Sequence, residues 1–167
     1  LLSAGQPTRV FVRSAEKATA LSARGAEVAV GSLDDGKALG HALRGARGAY
    51  LLLPPDYASP DLLASRRRTT QAIADAVAES GISHVVFLSS IAAQHTEGTG
   101  PIRVVAAAER VFSALANRGV ATRFTFVRAA YFMDNLAGAV PVARNHGKLH
   151  CFFDPHKRIP MVSTRDI

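Results

Sequence analysis

Arg13, Ser14 and Lys17 put two cations and a hydroxyl within about one helical turn, where the apolar run TRVFVR ends. Such a set suits a phosphate. An arginine fork matches phosphate oxygens and stays charged. At the end of the second strand of a dinucleotide fold, an Arg pairs with an adenosine 2′-phosphate, and an acid would take the ribose hydroxyls instead. The plain alternative is a surface arginine. Ser89 and Ser90 follow a second run, HVVFL, and lead into a polar loop with His95, Thr96, Gly98 and Gly100. A hydroxyl there lies where a nicotinamide would rest, and it serves equally well to satisfy backbone at a strand end. Ala130, Tyr131 and Phe132 belong to RAAYFMDN, after a third run. Rings at that point either wall the nicotinamide face or pack into a core. Ser32 and Leu33 in GSLDD, and Leu53 and Pro54 in LLLPP, follow two more runs and would flank the adenine and the cofactor ribose.

These positions need strands that end side by side. Five short apolar segments read as strands: 8–13, 26–30, 49–53, 84–88 and 123–127. Several are apolar on both faces, as in parallel strands buried on two sides. Between them lie segments with helical spacing. Ser14 suits the cap of a helix ending at Gly25, and Asp34 that of one ending near Gly45. Ser59 with Pro60 suits a third, which carries Leu62, Thr69, Ile73, Ala76 and Val77 on one stripe and stops at Gly81. A fourth runs over 102–117, with Gly119 after it. The alternation predicts an α/β fold, a parallel sheet covered on both faces, with ligands at the carboxyl ends of the strands. Beyond Arg128 the pattern loosens. A helix over 132–140 ending near Pro141, and short strands over 147–153 and 157–162, are expected, with turns at His146, Gly147, Asp154 and Pro155. No linker divides the chain, so 1–167 reads as one domain.

The net charge of +7 comes from 16 Arg and 4 Lys spread along the chain. Arg66, Arg67 and Arg68 are the one tight cluster, read as a solvated helix face. No basic stretch is interleaved with stacking aromatics, so no nucleic-acid partner is expected. No apolar run approaches the ~18 residues of a membrane span. One cysteine, Cys151, excludes an internal disulfide framework and points to a reducing cytoplasm. His146 and His150 stand four apart with Cys151 adjacent and His156 near. That spacing suits zinc only on a helix, and Gly147 with the Phe152-Phe153 run argues for loop and strand, so no metal site is expected.

In their order and spacing, TRVFVRS with Lys17, GSLDD, AYLLLPP, HVVFLSS with QHTEGTGPI, FTFVRAAYFMDN and RIPMVSTRDI cover nearly the whole chain. Together they resemble the NmrA-like, NAD(P)-binding branch of the atypical short-chain dehydrogenases/reductases. The resemblance implies a Rossmann-like doubly wound sheet over about 1–130 and the start of a smaller substrate region over 131–167. It implies NADP in preference to NAD, held by Arg13, Ser14, Lys17, Ser32, Leu33, Leu53, Pro54, Ser89, Ala130, Tyr131 and Phe132. It also implies hydride transfer to a small electron acceptor of quinone-like or other electron-poor kind. Ser89 and Ser90 would orient, and Tyr131 would stack or donate a proton. The family also contains non-catalytic, redox-sensing regulators that dock on a partner protein. An inert fragment is the third reading.

The chain departs from the family pattern. The family opens with a strand and a glycine-rich turn; here 1–5 reads as the end of the helix that follows them, so both termini read as cut. Because the family's first strand is central in the sheet, a gap between two halves is expected. Ser32 stands where relatives often have an acid, and Ala106 where they often have a His. The stretch from Glu109 to Arg128 is a few residues longer than usual. No Tyr-x-x-x-Lys pair follows Ser90.

Overall fold

A computed structural model describes every residue except Tyr57, Thr96, His150, Cys151, Phe152 and Pro155. The five expected strands form: β1 (Arg9–Val12), β2 (Glu27–Val30), β3 (Gly48–Leu51), β4 (His84–Ser90) and β5 (Arg123–Ala129). All pair in parallel, but in two separate sheets, β1-β2 and β3-β4-β5. Among the described residues no strand bridges β1 and β3, which is the expected gap between two halves.

The helices start where a carboxylate meets orphan backbone N–H groups. Helix α2 (Gly36–Leu43) is capped by Asp35, whose side chain accepts from Ala38 N at 3.0 Å, not by the expected Asp34. Helix α3 (Leu62–Ser80) is capped by Asp61, which accepts from Ala64 N at 2.9 Å, and Ser59 instead donates to the Asp61 carbonyl. The helix expected after Ser14 is two short pieces, a 3-10 turn (Ala15–Ala18) and α1 (Thr19–Ser22), and the Ser14 side chain makes no cap bond. Helix α4 (Ile102–Asn117) has the expected bounds. Gly25, Gly45, Gly81 and Gly119 all have positive φ at or just after helix ends, a conformation glycine adopts without strain.

One face of the sheets carries the core. Leu39 of α2, Ile73 and Val77 of α3, Val85 and Phe87 of β4, and Phe112 and Leu115 of α4 are buried together. Phe112 stacks on Phe124 at 5.2 Å and meets Phe87 edge-on at 5.1 Å. Helix α2 lies close on α3 because Gly36 has no side chain: a Cβ there would stand 3.2 Å from the Ala72 carbonyl oxygen. The expectation of cover on both faces is not met throughout. Val30 of β2, Tyr50 of β3 and Leu52 beyond it are 44% exposed or more.

The end of the chain is built differently from expectation. Tyr131–Phe132 form β6, paired in parallel with β7 (Met161–Val162). A 3-10 segment (Met133–Ala139) leads into α5 (Val140–His146), so Pro141 opens a helix rather than closing one. Proline suits both places, since a first-turn N–H needs no partner. Residues 147–149 are not strand, 150–152 lie outside the described residues, and of 157–162 only β7 is strand. The turn expected at Pro155 also lies outside them. Arg66 is not on a solvated face. Its side chain is 13% exposed and pairs with Asp56 at 2.8 Å.

Candidate functional site

Parallel strands bring their carboxyl ends to one edge, and the candidate residues lie there. Beyond β1, Arg13 and Lys17 are exposed and Ser14 is half-buried in extended backbone. Among the described residues neither cation has an ion-pair partner, and the Ser14 hydroxyl has no hydrogen bond. Two unspent charges beside an unspent hydroxyl are a donor set that fits a phosphate-bearing nucleotide.

Beyond β2, Ser32 sits in the turn that enters α2: its hydroxyl accepts from Asp34 N at 3.2 Å and its carbonyl from Asp35 N at 2.9 Å. Leu33 and Leu53 are half-buried against the core, and Pro54 is half-buried beside Leu53.

Beyond β3, the β4 and β5 ends carry a network that sequence reasoning missed. Strand alternation sends Ser89 and Ser90 to opposite faces. Ser89 is 5% exposed and donates to Glu109 Oε1 at 2.5 Å. Arg128, which stands opposite Ser89 in the β4–β5 register, donates from Nε to Oε1 at 3.0 Å and from Nη2 to Oε2 at 2.6 Å. Burial pushes the Glu109 carboxyl up, but hydrogen bonds from Arg128 and Ser89 outweigh burial and hold it below the ordinary carboxylate range. The detectable signal was a charged residue within the apolar stripe of IRVVAAAERVFSAL; its partners lie 19 and 20 residues away. Ser89 is thus bound inward, and Ser90 is the half-buried one on the other face. After Ser90 the chain turns, with Ala93 N donating to the Ser90 carbonyl at 3.1 Å and Ala92 at φ 70°. Left-handed backbone at an alanine costs about 1–2 kcal/mol, so this turn is held in place by its surroundings. Thr96 of the same loop lies outside the described residues.

Ala130 and β6 continue directly from β5. Tyr131 N donates to the Pro160 carbonyl at 3.3 Å, and its ring meets Phe153 edge-on at 4.7 Å. Phe132 is half-buried. Asp134 accepts from Thr164 N at 2.9 Å and ties this turn to the segment after β7. The backbone hydrogen bond from Thr164 is the main reason the Asp134 carboxyl is held below its ordinary range.

His146 ends α5, and Gly147 then takes the left-handed conformation that closes the helix. His150 and Cys151 lie outside the described residues. No helix among the described residues is long and apolar enough to cross a membrane. An open depression of about 760 Å³, lined by Phe112, Phe124 and Arg123 among others, lies towards the amino end of β5 and away from these residues.

The chain is 28% identical over 167 residues to an NAD(P)H azoreductase of Xenophilus azovorans, covering all of this chain and 54% of that protein. It is 30% identical over 161 residues to a (4-alkanoyl-5-oxo-2,5-dihydrofuran-3-yl)methyl phosphate reductase of Streptomyces griseus, covering 96% of this chain and 52% of that one. The chain thus spans about half the length of the curated relatives it matches. Among solved structures, an NADPH-dependent quinone oxidoreductase from Escherichia coli, complexed with NADPH, superposes on 87% of this chain and 48% of its own. The TM-score is 0.69 at 23% identity. The Citrobacter sp. triphenylmethane reductase complexed with NADP(H) does so on 84% of this chain and 49% of its own, with a TM-score of 0.63 at 23% identity. These likenesses show the Rossmann-like fold. The NmrA-like family model matches residues 1–167, and the chain belongs to the NmrA-like family.

Proposed function

We propose that this chain is the nucleotide-binding part of an NADPH-dependent oxidoreductase that reduces a small electron-poor acceptor of quinone or azo type. The observation that carries the reading is the unpartnered set Arg13, Ser14 and Lys17 at the carboxyl end of β1. The names of the relatives, azo, quinone and dye reductases among them, supply the acceptor class. Bound NADPH would bring the hydride itself, leaving the protein to bind, orient and exclude water. Arg13 and Lys17 hold the 2′-phosphate, with Ser14 between them. Ser32, Leu33, Leu53 and Pro54 flank the adenosine side. Ser90 and Ala130 border the nicotinamide side, with Tyr131 and Phe132 offering a flat apolar wall. Ser89 acts from beneath, through Glu109. The β6–β7 pairing and the Tyr131–Phe153 contact support 131–167 as the start of a distinct acceptor-side region.

A second reading, a nucleotide-sensing regulator without turnover, is favoured by two observations. The Ser89 hydroxyl is committed to Glu109, and no Tyr-x-x-x-Lys pair follows it. Calorimetric titration of the chain with NADPH and NADH tests the common ground. NADPH is expected to bind the more tightly. Arg13→Ala should weaken NADPH about 10- to 100-fold, the size of one charge-assisted hydrogen bond, and leave NADH unchanged. Equal binding of both nucleotides by the wild-type chain would remove the phosphate assignment. NADPH oxidation across a panel of quinones then separates enzyme from sensor.

A further inference from the structure

The two loops on the adenosine side each contain a pair of aspartates, and each pair divides its work in the same way. In the loop between β2 and α2, Asp35 caps α2, while Asp34 reaches across to α3 and accepts from Thr69 Oγ1 at 2.5 Å. In the loop between β3 and α3, Asp61 caps α3, while Asp56 reaches the second turn of the same helix and accepts from Ser65 Oγ at 2.6 Å and Arg66 Nη2 at 2.8 Å. Helix starts need one cap each, so Asp34 and Asp56 are surplus to helix formation. Their partners are Ser65, Arg66 and Thr69; Thr69 lies three residues beyond Arg66 and four beyond Ser65, so it neighbours both on the helix surface. Thr69 is 1% exposed, and Arg66 Nε is buried with no acceptor among the described residues, so neither partner is a free surface group.

Among the described residues, the two loops leave strands of different sheets. Helix α3 carries an anchor for each loop, Thr69 for the first and Ser65 with Arg66 for the second. We propose that Asp34 and Asp56 are positioning residues for the nucleotide: anchored on Thr69, Ser65 and Arg66, they set the spacing between the loop carrying Ser32 and Leu33 and the loop led by Leu53 and Pro54. This rests on the NADPH reading above. Neither aspartate touches the nucleotide in this scheme; each acts through the loop it holds.

The test uses the full 167-residue chain. NADPH affinity is measured by calorimetry for wild type, Asp56→Asn, Ser65→Ala, Thr69→Val and Thr69→Ser. Hydrogen exchange is measured on the same samples without nucleotide. Asp56→Asn is expected to weaken NADPH about tenfold and to raise exchange in residues 54–61 only. Ser65→Ala should do the same more mildly, which covers the case in which Asp56→Asn folds poorly. Thr69→Val should weaken NADPH to a similar degree and raise exchange in 32–35 only. Thr69→Ser keeps the hydroxyl and should restore both. Affinities unchanged in variants of a chain that binds NADPH overturn the proposal, as does equal weakening by Thr69→Val and Thr69→Ser. If the wild-type chain takes up no NADPH, the functional reading fails first. Loop exchange that is then the same in wild type and variants overturns the anchors as well.

Discussion

The carboxyl ends of β1 and of β4–β5 are both polar, and they are polar in opposite ways. At the ends of β4 and β5, Glu109 and Arg128 spend their charges on each other. Glu109 is 6% exposed and takes two bonds from Arg128 and one from Ser89. At β1, Arg13 and Lys17 are exposed and meet no carboxylate among the described residues. A buried, fully bonded network fixes strand ends and leaves little capacity for anything else. Exposed cations clustered beside a strand end contribute little to the fold and retain their capacity for an anion. On the proposed reading the difference separates support from recognition: Ser89 adjoins Ser90 in β4 but belongs to the support.

The comparison breaks most visibly at Arg128. Arg128→Met strips the buried Glu109 carboxylate of its countercharge and should cost more stability than removing the carboxylate itself. Glu109→Gln keeps an acceptor for Ser89 and leaves the arginine to water, so about 1–2 kcal/mol is expected. Urea midpoints of the two variants decide it. Equal costs would mean that the carboxylate is not the dependent partner.

Acid sharpens the same point. The Glu109 carboxyl is held below its ordinary value in the folded chain, despite burial, by Arg128 and Ser89. Its contribution is therefore present above the ordinary glutamate range and is lost as pH falls through the lower, folded value. Asp56, lowered chiefly by the Ser65 hydrogen bond, and Asp134 titrate with the same sign. The difference between wild type and Glu109→Gln, followed from pH 6 down to pH 3, isolates the one group. The gap should narrow as the pH drops. A constant gap would assign the cost of the variant to packing.

Much of this arrangement was legible in the residues, and the failures have a common cause. The five strands are short apolar runs between turn residues, and the long helices end at glycines, so local chemistry places them. The caps of α2 and α3 slipped by one or two positions because two competent residues stand side by side. Asp35 rather than Asp34 caps α2 because Thr69, far along the chain, takes Asp34. Glu109 was passed over for the same reason: a lone acid on an apolar helix stripe does not reveal which residues answer it. Arg66 looked like one of three solvated arginines until Asp56 met it. Pro141 was ambiguous in itself, since proline opens helices as well as ending them. In each case local propensity was read correctly and a contact made only in the fold decided the outcome. Arg13 and Lys17 beyond β1 meet no such contact among the described residues.

The smallest expected effect is also the sharpest test of the contrast. Arg13→Ala with Lys17→Ala removes two charges from a chain of net charge +7. If those side chains have no structural work, urea stability should move by no more than about 0.5 kcal/mol. Any shift should lean towards greater stability, because self-repulsion falls with the net charge. The same double variant should lose NADPH affinity, so stability and binding part company at this strand end. Arg128→Met should lower stability wherever binding goes. A loss of more than about 1 kcal/mol in the Arg13, Lys17 double variant would show that these cations hold the β1 end in place. Support and recognition would then be one thing there, as they are not at Glu109.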